Sequence, residues 1–231
     1  DRVMIGQREE SNALLPEEKR SVAVHEAGHA VVAALSMRAD PVAKVTILPA
    51  GRALGVTEQL PVDEAHLHSE SYLTDALNVR LAGRASEILV LGEASTGAAN
   101  DLSGATDLAG RMVREFGMNH DLGPIGYARD ESGHPAAQMG ARPYAEATQR
   151  AIDEEVARLV TEAEHRATAM LTEHREALDR LVEHLLEEET VDGSAVYSAL
   201  GLPVHLAPTM RGDQPDRGAV TAPSADTGEA G

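Results

Sequence analysis

Residues 21–35, SVAVHEAGHAVVAAL, place two histidines and a glutamate inside a stretch that otherwise reads as an apolar helix. Val22, Val24, Val31, Val32 and Leu35 flank the polar triplet, so the helix is expected to be buried. Buried polar groups without partners are costly. Whatever fold the chain adopts must therefore bring something to His25, Glu26 and His29. The spacing H-E-x-x-H suggests what that is. Residues four apart on a helix sit one turn above each other, with Cβ atoms about 5–6 Å apart. His25 and His29 can then offer two imidazole nitrogens to one metal ion, and zinc suits such ligands. Glu26 points about a quarter-turn away, where it reaches a water on the open metal position without binding the metal. That is the arrangement of metal-assisted peptide hydrolysis, in which the metal polarises the carbonyl and acidifies the water and the carboxylate takes the proton. The competing reading is a helix whose histidines and glutamate face solvent or bond each other.

A catalytic zinc takes three protein ligands and leaves one position open. Val32 and Leu35 occupy the positions where the glycine and third histidine of a metzincin would follow. There is no cysteine among the 231 residues, which excludes a thiolate ligand and any disulfide. The third ligand must be a distant carboxylate or histidine. Asp101 and Glu87 are the candidates, with Asp101 slightly favoured. Asp101 lies where a small-residue loop, STGAAND, enters a helix, so it is equally suited to be an N-cap. Glu87 lies in the apolar half of a helix, either near the metal or paired with Arg84. His66 and His68 form an H-x-H pair, read as a solvated helix start rather than a metal site.

Aromatic residues make up 2% of the chain, with one Phe and no Trp, so the core must be Leu, Val, Ile, Met and Ala. That composition favours packed helices, and the expected fold is mainly α with a small β-element beside the metal helix. The formal net charge of -18 argues against nucleic acid or an anionic membrane surface as direct partners. No run approaches the length of a membrane span, and no signal peptide is visible. The first residue is Asp1, so the chain reads as a piece of a longer one. No Gly-x-x-x-x-Gly-Lys-Ser/Thr loop is present, so ATP is not bound by that route.

In order, residues 1–15 are a lead-in. Pro16, Glu17 and Glu18 open a helix that carries the metal motif to about Met37 and stops at Asp40-Pro41. Lys44, Val45, Thr46, Ile47 and Leu48 form one expected strand and residues 54–58 a second; the first is either an edge for an extended peptide or part of a hairpin that covers the core. A helix is expected from Asp63 to Leu91, with Leu73, Leu77 and Leu81 on one stripe. Another leads through residues 109–116 and breaks at Gly117. Residues 129–143 are rich in Gly, Pro and polar residues and read as a mobile loop, with His120 and His134 exposed nearby. Two long helices fill residues 144–189, meeting near Thr172 or His174, with glutamates and His165, His174 and His184 outward. Val191-Asp192-Gly193 reads as a turn before a short helix to Leu200. Residues 16–206 would be the folded domain and residues 207–231 a disordered tail.

With these residues in view, the chain resembles the peptidase domain of the FtsH family, membrane-anchored AAA+ zinc proteases. The markers are DRVMIG at residues 1–6, HEAGH at 25–29, KVTILPAGRALG at 44–55, Gly83-Arg84 with Glu87, STGAAND at 95–101, Gly117-Met118 with Leu122-Gly123-Pro124, and LLEEETVDG at 185–193. The resemblance implies His25, His29 and Asp101 as zinc ligands and Glu26 as catalytic base. It places Glu87 behind the ligands, orienting a histidine, and makes residues 44–48 the substrate-binding strand. It further implies one zinc per chain, a homo-hexamer fed with unfolded membrane and soluble proteins, and a place on the cytoplasmic side of the cell membrane. ATP and Mg2+ would belong to an ATPase module outside this chain. Ala82, Ile88, Glu164 and a short loop between Gly92 and Ser95 depart from the family pattern. The alternatives are a catalytically inactive peptidase-like scaffold in the same assembly, or a zinc hydrolase for small substrates.

Overall fold

The computed structural model describes residues 14–49, 54–60, 67–119, 122–127 and 144–203. Nearly all of the expected lead-in, the whole of the expected mobile loop, the helix start at Asp63, the tail, and His66, His120 and His134 lie outside these residues. The described fold is mainly helical with one small sheet, as the aromatic-poor composition predicts.

Helix α1, Pro16–Leu35, is the axis of the fold. Pro16 takes the first helical position and the Glu18 carboxylate accepts the Leu15 N–H at 2.8 Å, closing the N-terminus. At the other end the Ser36 hydroxyl and N–H both turn back to the Val32 carbonyl. Every residue from Ala23 to Ala33 is buried, so the helix is covered on all sides.

Helix α2, Glu70–Leu91, packs along it. Ser69 caps its start by accepting the Tyr72 N–H, and Gly92, at φ 87°, ends it in the left-handed region. The two helices touch backbone to backbone: a Cβ at Gly28 would stand 2.4 Å from the Ser86 hydroxyl and 2.6 Å from the Ala82 carbonyl. Helix α3, Ala99–Arg114, and the first half of the 28-residue α4, Glu146–Glu173, pack on the other side of α2. There Leu73, Leu77 and Leu81 meet Ala105, Ala109, Met112 and Ala163 in a second apolar cluster. Helix α5, Arg175–Glu188, follows α4 after a break at His174, where two helices were expected to meet. Its Leu178, Leu181 and Leu185 close the main core against α1. His165 and His184 are exposed, as expected; Glu155, by contrast, is buried and held by the Arg158 guanidinium.

Three antiparallel strands complete the fold: β1, Val42–Thr46; β2, Val56–Gln59; and β3, Thr190–Asp192, which leads into helix α6, Gly193–Ala199. Their order is β2-β1-β3. Two expectations are corrected here. Residues 190–192 are a strand rather than a turn, because β1 supplies a partner: Thr46 pairs with Thr190 and Lys44 with Asp192. And β1 does not present an edge. It is flanked on both sides, Ile47 and Leu48 lie beyond its end, and the strands with a free side among the described residues are β2 and β3, of which β2 lines the cleft.

Candidate metal centre and its cleft

His25 and His29 project from successive turns of α1 toward the start of α3. Asp101 meets them there, inside the first turn of the helix. The N-cap position belongs to Ala98, so the capping reading of Asp101 does not hold. The His25 Nε2 and His29 Nε2 atoms are 3.0 Å apart; Asp101 Oδ2 stands 3.1 Å from the first and 3.5 Å from the second. Tetrahedral bonds of about 2.0–2.1 Å to one zinc require ligand atoms about 3.3–3.4 Å from each other. The triangle has the right size.

The chemistry of the donors fits as well. The His25 Nδ1 atom lies 2.7 Å from Glu87 Oε1, and His29 Nδ1 lies 2.7 Å from the Val79 carbonyl oxygen. Donation from both Nδ1–H groups leaves both Nε2 lone pairs facing the same small gap, which is repulsive unless a cation or a proton lies there. Glu87 is itself held by the Ser95 N–H and hydroxyl, while Arg84 pairs with Glu164 on α4. That settles the choice for Glu87: it serves His25, and Arg84 has another partner.

Gly83 is the floor of the site. A Cβ there would stand 2.5 Å from His25 Cε1 and Nε2 and from His29 Nε2, so no other residue leaves the rings where they are.

The electrostatics follow. Burial works to lower the pKa of His25, but the hydrogen bonds to Asp101 and Glu87 and the charge of Glu26 outweigh it and carry it up to about 9. Burial works to raise Asp101, yet the two imidazoles hold it well below the usual carboxylate range. Glu87 is likewise depressed, its desolvation outweighed by His25 and Ser95. A carboxylate kept ionised beside two imidazoles is a ready cation site.

Glu26 is buried on the adjoining face of α1, against β2. The Thr57 hydroxyl lies 2.8 Å from Glu26 Oε2 and 3.1 Å from the Glu26 carbonyl, able to donate to either. All four residues, His25, Glu26, His29 and Asp101, open into one cleft of about 880 Å³, walled by β2 on one side and by α2 and the loop before α3 on the other. His25, His29 and Asp101 are the single group of potential metal ligands among the described residues.

The sequence profile of Peptidase family M41 matches residues 12–199. The chain belongs to peptidase family M41. M41 relatives include the ATP-dependent zinc metalloprotease FtsH of Acidothermus cellulolyticus, 61% identical over 88% of this chain and 31% of the relative. The proteins of the same name from Acidimicrobium ferrooxidans and Syntrophobacter fumaroxidans are 47% and 46% identical, over 89% and 84% of this chain and 32% and 30% of theirs. The chain thus spans about a third of the length of the curated relatives it matches. The FtsH resemblance read from the scattered motifs stands.

Sequence reasoning missed three contributors to this M41 site. Thr57 lies in the GVT of β2, where β-branched alternation gave only a strand. Gly83 was noted as part of a motif, and its packing role becomes visible only with the rings above it. The Val79 carbonyl carries no side-chain signal at all.

Proposed function

We propose that this chain is the zinc-dependent endopeptidase unit of a longer ATP-dependent protease, with residues 16–206 as the peptidase domain. The observation that carries the reading is the convergence of His25 Nε2, His29 Nε2 and Asp101 Oδ2 beside the buried carboxylate of Glu26. His25, His29 and Asp101 would hold the zinc, which when bound polarises a peptide carbonyl and acidifies a water. Glu26 takes the proton from the attacking water and passes it to the leaving amine. Thr57 keeps the Glu26 carboxylate turned toward the cleft. Glu87 and the Val79 carbonyl keep both imidazoles in the tautomer that leaves Nε2 free.

The open side of β2 suits an extended peptide, which would add to the sheet as a fourth strand and lie along the cleft. Strand pairing uses main-chain groups, so it accepts any unfolded chain. That favours a processive protease of unfolded proteins over a hydrolase of small substrates, which needs a closed pocket. The FtsH relatives are named ATP-dependent, and we extend that dependence, a homo-hexameric assembly and a place at the cytoplasmic side of the cell membrane to the full-length protein. Among the described residues no helix is long and apolar enough to cross a membrane. The intact set of four chemical residues favours an enzyme over an inactive scaffold.

The test is Glu26→Gln. Metal analysis should find one zinc per chain, as in the parent, while cleavage of casein falls by at least 100-fold. A variant that still cleaves at the parental rate sinks the mechanism, and a parent that holds no zinc sinks the site.

A further inference from the structure

The wall of the cleft opposite β2 carries a cation that no hydrogen bond or ion pair among the described residues engages. Glu18, Glu26, Asp40, Glu87 and Asp101 line the cleft, and Arg80 is the only arginine or lysine among the described residues that do. Each carboxylate has a partner. Glu18 accepts from the Leu15 N–H at 2.8 Å, Asp40 from the Tyr72 hydroxyl at 3.1 Å, and Glu26 from Thr57 at 2.8 Å. Glu87 and Asp101 are engaged by the imidazoles, at 2.7 Å and 3.1 Å. Arg80 is exposed and makes no hydrogen bond or ion pair among the described residues. It follows Val79, whose carbonyl orients His29, and it leans across α3 at Gly104, where a Cβ would stand 2.6 Å from Nη1. Gly104 is about one turn beyond Asp101. Arg80 therefore lines the cleft from α2, next to the carbonyl that orients His29, with its guanidinium against α3 about one turn beyond Asp101.

A guanidinium offers five N–H donors in a fixed fork and accepts nothing, and its best partner is a carboxylate. We propose that Arg80 forms a subsite of the cleft that selects an aspartate or glutamate side chain of the substrate near the scissile bond. The proposal rests on the peptidase reading above. It gives an otherwise sequence-tolerant cleft one point of discrimination. The chain's net charge of -18 repels acidic peptides in general, so the preference is confined to the single substrate position that reaches Arg80.

The test uses C-terminally amidated, fluorescent peptides, with the scissile bond mapped by mass spectrometry of the products of the parent. Glutamate, glutamine or lysine is walked through three positions on each side of that bond. Binding is read by anisotropy on the zinc-loaded Glu26→Gln protein, and cleavage on the active one. At one position glutamate should bind about three- to tenfold more tightly than glutamine, and the gain should shrink in high salt. Adding Arg80→Gln should erase the preference, and Arg80→Glu should turn it toward lysine, with zinc content unchanged. Glutamate no better than glutamine at every position, or a preference that survives Arg80→Gln, overturns the assignment. If the parent cleaves no unfolded chain at all, the peptidase reading fails and takes this subsite with it; cleavage with unaltered preference overturns the subsite alone.

Discussion

A proposed catalytic constellation is only as good as the atoms that hold it still, and here each of its three side chains on α1 has one. His25 is oriented by Glu87, His29 by a backbone carbonyl, and Glu26 by Thr57. Thr57→Val keeps the shape and the strand propensity but loses the hydroxyl. The Glu26 carboxylate then turns freely, so kcat should fall about tenfold, with KM and zinc content close to parental and Thr57→Ser restoring most of the rate. Steady-state kinetics on a quenched peptide decides it; full activity in the valine variant would remove Thr57 from the mechanism. The candidate ligands His25 and His29 and the candidate base Glu26 were legible because their chemistry is written in side-chain types: H-E-x-x-H on an apolar helix admits few explanations. On local chemistry Asp101 was legible only as one of two carboxylates, since nothing local separates a ligand at the start of a helix from a cap; the family resemblance alone singled it out. The Val79 carbonyl was beyond reach, because every residue has one.

At the level of elements, the site depends on how closely α1 and α2 approach. Gly28 and Gly83 let the backbones meet, and the carbonyl of Ala82 lies 2.6 Å from where a Cβ of residue 28 would be. A backbone atom cannot swing aside, so Gly28→Ala must part the helices. We expect a loss of about 1–3 kcal/mol in urea unfolding of the zinc-loaded protein, together with weaker zinc retention as Gly83 withdraws from the rings. Equal stability of parent and variant would show that the contact has slack. The long helices were readable from their 3.6-residue stripes, down to the break at His174. The sheet was not. Two short β-branched segments look like a hairpin, and only the pairing of β1 with Thr190–Asp192 turns the first of them into a central strand. Strand identity in β3 comes from a partner more than 140 residues away, and no local window contains it.

For the molecule as a whole, zinc and protons compete for His25. In the zinc-free chain its pKa is carried up to about 9 from 6.5, so zinc must displace a proton below that pH. The protonated His25 contributes stability to the zinc-free fold that is complete below pH 6.5 and is lost as pH rises through 9. Asp101 and Glu87 are depressed, so their contributions are present above the ordinary carboxylate range and do not change in this window. Zinc affinity rises up to tenfold per pH unit over the same interval. The gap in Tm between zinc-loaded and chelated protein should therefore widen from pH 6.5 to 8.5, by about 3–5 °C per unit for a domain of this size. Differential scanning calorimetry at fixed free zinc measures it, and a flat gap would mean that His25 carries no proton when the metal leaves.

The position of β3 bears on how such a chain is made. The proposed ligands and base are complete by Asp101, but the strand that backs β1 arrives only with Thr190–Asp192. A chain that stops short of Thr190 would carry all four residues of the proposed chemistry and yet lack one of the two strands that flank β1.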